Sequence, residues 1–137
     1  MKIISHRGNL NGPSDYENDP RQIKAVLKMG VDCEIDLWIK DNRYYLGHDK
    51  PTHEVKRSFL QQKGLWIHCK NLEALEGVPQ KTNYFWHQND DFALTSKGYI
   101  WTFPEKNTGK KSVIVDNTEK WKEKNYNCFA VCSNHIL

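Results

Sequence analysis

Apolar positions along the chain fall into short runs separated by polar turns. Lys2-Ile3-Ile4-Ser5-His6 reads as a buried strand, and Gly12-Pro13 marks a turn in the polar stretch that follows. The clearest helix comes next. Asn18 or Asp19 supplies its cap, Pro20 suits its first turn, Ile23, Val26 and Leu27 recur at helical spacing, and Gly30 terminates it. From Asp32 to Lys40, Cys33, Ile35, Leu37 and Ile39 alternate with Glu34, Asp36 and Trp38, the signature of a strand. Asp41-Asn42 is a turn and residues 43–48 form a third strand. Further strands are expected over residues 65–70, 83–88, 98–103, 112–115 and 128–132, with short helical segments over 55–60, 72–75 and 119–124.

Strands interleaved with helices point to parallel βαβ units in a single domain spanning residues 1–137. Eight predicted strands suit an α/β fold of the abbreviated (β/α)8 barrel type, with shortened or missing helices. Such barrels usually need about 250 residues. An open, mostly parallel α/β sheet is therefore the alternative.

Composition narrows the classes. Twenty Lys and Arg against 17 Asp and Glu leave a net charge of only +3, which argues against a strongly basic nucleic-acid binder. Lysines at 106, 110, 111 and 120–124 offer a nucleic-acid surface, but Glu119 and Glu123 interrupt it. The 12% aromatic content excludes a disordered chain. No run is long enough to span a membrane and no signal peptide is visible, so the expected compartment is the cytoplasm. Cys33, Cys69, Cys128 and Cys132 are then expected as reduced thiols packed on strands. Cys128 and Cys132 have the spacing of half a zinc site, but no second pair accompanies them.

The candidate chemistry sits at strand ends. Glu34 and Asp36 point to one face of their strand, about 7 Å apart. Two buried carboxylates repel each other, and a divalent cation offsets that most simply. A solvent-exposed face would show the same alternation. His6 and His48 each end an apolar strand, the edge where α/β folds bind ligands, and imidazole suits proton transfer near neutral pH. His68 and Lys70 share one face of the fourth strand, where a lysine can neutralise a phosphate or an oxyanion. His87 is a weaker candidate, and His53 and His135 read as surface residues.

Four ordered segments resemble the glycerophosphodiester phosphodiesterases, within the larger phosphatidylinositol-phosphodiesterase-like barrels. Ile4-Ser5-His6-Arg7-Gly8 is similar to the opening His-Arg-Gly strand of that family, and Glu17-Asn18 to its Pro-Glu-Asn element, with Tyr16 in place of Pro. Residues 30–37 resemble its Glu-x-Asp strand, and Leu46-Gly47-His48-Asp49 its His-Asp element. The likeness is dense over residues 3–51 and thin afterwards. It implies a barrel fold and a metal-dependent hydrolase of small glycerophosphodiester-like substrates. His6 and His48 would be the acid–base or nucleophilic pair, with His48 favoured as the acid. Glu34 and Asp36 would hold the metal, Arg7 and Trp101 would bind the substrate phosphate, and Trp101 would line the pocket.

The family's fourth strand commonly ends Glu-x-Lys. Here Lys70 remains and His68 replaces the Glu, so the expected metal set is Glu34, Asp36 and His68, with Lys70 assisting catalysis and phosphate binding. An imidazole there favours Mn²⁺ over Ca²⁺, whereas Mg²⁺ could keep two protein ligands and waters. The alternative to an enzyme is a non-catalytic relative that binds a phosphorylated ligand or a metal.

Overall fold

The computed structural model describes all residues from Met1 to Leu137. In chain order the elements are β1 (Lys2–His6), α1 (Pro20–Lys28), β2 (Asp32–Lys40), β3 (Arg43–Leu46), β4 (His53–Val55), β5 (Leu65–Cys69), α2 (Leu72–Gly77), β6 (Asn83–Phe85), β7 (Phe92–Leu94), β8 (Ile100–Thr102), β9 (Ser112–Val115) and β10 (Ala130–Ser133). Short 3-10 turns cover Arg57–Gln61 and Trp121–Glu123. Asp19 caps α1, its carboxylate accepting from the backbone N–H of Arg21, and Pro20 opens the helix.

All ten strands belong to one strongly curled mixed sheet. Its parallel part runs β6-β5-β2-β1-β10-β9-β8. Antiparallel strands extend it: β3 pairs with the far half of β2 and carries β4, and β7 pairs with β8. No ladder joins β6 to β8. Instead the Phe85 ring stacks on Trp101 with centroids 4.4 Å apart, and the Ser96 N–H donates to the Tyr84 carbonyl at 2.8 Å. The expected closed eight-stranded barrel is thus corrected to a half-barrel with only two short helices. The physical reason is chain length. The segment between β6 and β8 is spent on β7, which folds back antiparallel and leaves no crossover helix.

The alternation in β2 sorts two cores. Cys33, Ile35, Leu37 and Ile39 face outward and pack under Ile23 and Val26 of α1 and Ala74 of α2, together with Ile67 and Cys69 of β5. On the concave side Ile4, Trp66, Phe85, Trp101, Val113 and Cys132 form a second core inside the curl. Beneath the second 3-10 turn, Trp121 seals Ile114 and Val131, and its indole N–H donates to the His135 carbonyl at 2.6 Å.

Several local expectations change. The helix expected over residues 55–60 is strand β4 followed by the 3-10 turn, and His53 and His135 are half-buried rather than surface residues. Only a 3-10 turn forms within residues 119–124, because Glu119 to Lys124 offers one apolar anchor, Trp121, and little else to bury. The strand expected over residues 83–88 ends at Phe85. All four cysteines are free; Cys33, Cys69 and Cys132 are buried on strands, and burial pushes the Cys69 thiol up to about 12. No helix is long and apolar enough to cross a membrane.

The segment after β9 is held by one carboxylate. Asp116 accepts from Lys124 Nζ at 2.8 Å, from the Tyr126 hydroxyl at 2.6 Å and from Thr118 Oγ1 at 2.6 Å. Burial raises its pKa, but these donors outweigh it and hold the carboxyl down at about 2. A depressed carboxyl stabilises the fold above its ordinary pKa and loses that contribution as pH falls toward its folded value. Asp116→Asn is therefore expected to cost about 2 kcal/mol at pH 6, with the difference from wild type fading between pH 4 and 2. Urea unfolding across that range measures it, and a pH-independent difference would count against the ion-pair origin.

Candidate functional site

Parallel register assembles the site. His6 of β1 stands opposite Glu34 of β2, and Asp36 stands opposite His68 of β5. All four belong to the inward-facing set at the C-terminal half of the curl. Glu34 is 2% exposed and Asp36 is fully buried, so a solvent-facing strand is excluded. The β2–β3 hairpin returns the chain along β2 on the side of β1, and the Gly47 N–H donates to the Asp36 carbonyl at 3.1 Å. His48 follows directly. A Cβ on Gly47 would collide with the Lys50 carbonyl and with Thr52, so only glycine allows this return.

A cavity of about 350 Å³ opens over these groups. Every residue singled out from the sequence reaches it or its floor. His6, Arg7, Glu34, His48, His68 and Lys70 line it together with Trp101, His87 and Phe103, while Asp36 is fully buried beside them. His68 Nδ1 is 3.2 Å from Asp36 Oδ1 and 3.7 Å from Glu34 Oε2. His6 Nε2 is 3.9 Å from Glu34 Oε1, and His48 Nδ1 is 3.7 Å from Asp36 Oδ2. Arg7 is drawn into the carboxylates: its Nε lies 3.3 Å from Asp36 and its Nη1 3.1 Å from Glu17. Lys70 makes no ion pair, which leaves it, rather than Arg7, as the free cation at the cavity.

Burial pushes the Asp36 carboxyl up, but the close approach of the His48 and His68 rings and the charges of His68 and Arg7 outweigh it and hold it far below the usual range. Burial likewise lowers the His68 pKa, and the Asp36 and Glu34 carboxylates overcome it, raising His68 to about 9. His68 Nε2 lies 2.9 Å from the His87 carbonyl, an acceptor, so Nε2 carries a hydrogen and Nδ1 faces the carboxylates. That nitrogen holds a proton or a metal, since a bare lone pair against two carboxylates would be repelled.

Glu34, Asp36 and His68 can bring one ligand atom each within 4.8 Å of one another, and they are the one such His, Cys, Asp and Glu group in the chain. Glu34 Oε1 and Asp36 Oδ1 are buried without a well-aligned hydrogen bond, the nearest donors being His6 Nε2 at 3.9 Å and His68 Nδ1 at 3.2 Å. Unpartnered buried carboxylate oxygens are costly, and a cation satisfies both. Two carboxylates and one imidazole, with Nε2–H on a carbonyl, form a donor set suited to a divalent ion of borderline softness.

Amide side chains that the sequence did not single out for the site hold it in place. Asn18, 1% exposed and at φ +61°, donates from Nδ2 to Asp36 Oδ2 and accepts from the Asp36 N–H, both at 2.9 Å. Asn134 Oδ1 accepts from His6 Nδ1 at 2.9 Å and from Asn9 Nδ2 at 2.8 Å. These contacts join positions 18 or more residues apart, so no local pattern reveals them. The Phe85 ring, stacked on His68 at 5.1 Å, is a further support.

Comparisons with protein-family models, with curated proteins and with solved structures return no match. The site therefore stands on its own geometry.

Removing the Asn18 amide leaves a buried Asp36 with two lost partners. Asn18→Ala is expected to cost roughly 2–4 kcal/mol in urea unfolding, and Asn18→Gly, which tolerates the positive φ, nearly as much. A glycine variant as stable as wild type would show that only backbone conformation matters at this position.

Proposed function

We propose that the chain is a metal-dependent hydrolase of small glycerophosphodiester-like phosphodiesters. One observation carries this: two buried carboxylates, each with an oxygen that lacks a well-aligned hydrogen bond, converge with His68, His6, His48 and Lys70 at a single cavity. Glu34, Asp36 and His68 would hold the cation. When bound, it would draw charge from a non-bridging phosphoryl oxygen and favour attack at phosphorus.

The chain's own residues supply the rest. With Nδ1–H donated to Asn134, His6 presents Nε2 to the cavity as the acceptor for the proton of the attacking O–H. The nucleophile is a water or a substrate hydroxyl. His48 is more exposed, and its ring nitrogens lie 3.7 Å from Asp36 and 3.6 Å from Asp49. There it would give a proton to the departing alkoxide as the P–O bond breaks, the role the family resemblance favours. Lys70 stabilises the charge that grows on the phosphoryl oxygens. Arg7 serves mainly to fix Asp36 and reaches His48 through Nη2 at 3.4 Å. Trp101 acts as a wall, stacked on Phe85, rather than as a phosphate ligand.

The charge arithmetic favours an anionic substrate. Without a metal, His68, Arg7 and Lys70 as cations balance Glu34, Asp36 and the Glu17 carboxylate paired with Arg7. A divalent ion that displaces the His68 proton leaves the site one unit positive, with Lys70 counted. The same balance also favours a second reading, a non-catalytic module that binds a metal or a phosphorylated ligand, because protein groups alone can neutralise the carboxylates.

The two readings part in one assay. After chelation, the protein is given bis-p-nitrophenyl phosphate or glycerophosphodiesters with Mg²⁺, Mn²⁺ or Ca²⁺. The expected outcome is turnover that is highest with Mn²⁺ and falls by about 10²-fold or more in His6→Ala and in Glu34→Gln. Turnover that survives both substitutions ends the enzyme proposal. Thermal stabilisation by Mn²⁺ without turnover supports the binding module. His68→Glu is expected to move the metal preference toward Ca²⁺, and an unchanged preference would remove His68 from the metal.

A further inference from the structure

We infer a second ligand site, for a small phosphorylated anion, at the end of the sheet opposite the carboxylate cluster. A cleft of about 650 Å³ lies at the N-terminal ends of β5 and β6, between residues 57–65, residues 79–83 and Lys97 of the β7–β8 turn. Arg57, Lys63, Lys81 and Lys97 line it, and no carboxylate does. None of the four cations makes an ion pair. Asp32, beside Gly64, is already engaged by Lys2 Nζ at 3.3 Å and by the Trp66 indole N–H at 3.0 Å. Four uncompensated positive charges therefore surround one concavity in a chain whose net charge is only +3. A compact multivalent anion complements that field.

Two further features shape the ligand. Arg57 is held from behind, its Nη1 donating to the Tyr44 hydroxyl at 3.2 Å and to the Gly77 carbonyl at 3.4 Å, so its remaining N–H groups are preorganised. Asn83, at the cleft, has a buried Oδ1 with no donor in reach. A phosphate that carries an O–H, whether its own or that of an attached polyol, would supply charge for the cations and, once the Asn83 amide turns to expose Oδ1, a donor for it as well. The volume lies within the ordinary range of small-molecule sites, about 300–1,000 Å³. No aromatic ring lines the cleft, so it lacks the stacking platform that single-stranded nucleic acids use. The site is independent of the metal cluster and of the proposed hydrolase activity.

The test is calorimetric titration of the chelated full chain with inorganic phosphate, glycerol 3-phosphate and sulfate, which carries no hydroxyl at neutral pH. Phosphate and glycerol phosphate are expected to bind several-fold more tightly than sulfate. Tighter binding of glycerol phosphate than of phosphate assigns the hydroxyl to the polyol, and equal binding assigns it to the phosphate itself; either supports the site. The paired substitution Lys81→Gln with Lys97→Gln is expected to weaken binding about 10-fold or more. The charge-matched pair Lys110→Gln with Lys111→Gln, elsewhere on the surface, is expected to leave it unchanged. Equal binding of sulfate, equal weakening by the control pair, loss of binding in Lys70→Gln, or no binding up to about 10 mM would each overturn the proposal.

Discussion

Burying two carboxylates side by side on one strand is the constraint on which this fold turns. Glu34 and Asp36 lie on β2, the strand between β1 and β5, with almost no solvent contact. An ionised pair in such a place is tolerated only when charge and hydrogen bonds surround it. Arg7 and His68 bring positive charge, and Asn18 brings an amide to each polar edge of Asp36. One oxygen of each carboxylate still lacks a well-aligned hydrogen bond. The cluster is thus organised closely enough to survive in the fold and left incomplete on the side that faces the cavity.

The half-barrel makes that cavity possible in a short chain. Seven parallel strands curl far enough to bring inward-facing residues from β1, β2 and β5 opposite those from β6 and β8. The Phe85 ring spans the break, stacked between His68 and Trp101, and stands in for the missing ladder. Aromatic residues pack inside the curl, and the polar side chains gather at the C-terminal ends of its strands. The antiparallel β2–β3 hairpin then adds a residue that a plain parallel strand order would not deliver: it returns His48 to the mouth beside Asp36.

Much of this was legible in the chain. Alternation over residues 32–40 separates the outer apolar set from the inner carboxylates because a strand has period two, and β2 obeys it throughout. The same period put His68 and Lys70 on one face, where both line the cavity. What could not be read is whatever depends on distant pairing. Nothing local to Asn18 distinguishes a helix cap from a clamp on Asp36, and Asn134 reaches His6 across nearly the whole chain. Closure was also illegible, because β6, β7 and β8 have three residues each and too little periodicity to show direction or pairing.

The most direct measurement is the crystal structure of the protein grown with Mn²⁺ and recorded at a wavelength where manganese scatters anomalously. The expected result is one strong anomalous peak bonded to a Glu34 oxygen, an Asp36 oxygen and His68 Nδ1, each at about 2.0–2.3 Å. A peak bonded to other residues, or none there while His68 remains paired with Asp36 at full manganese concentration, would contradict the metal centre.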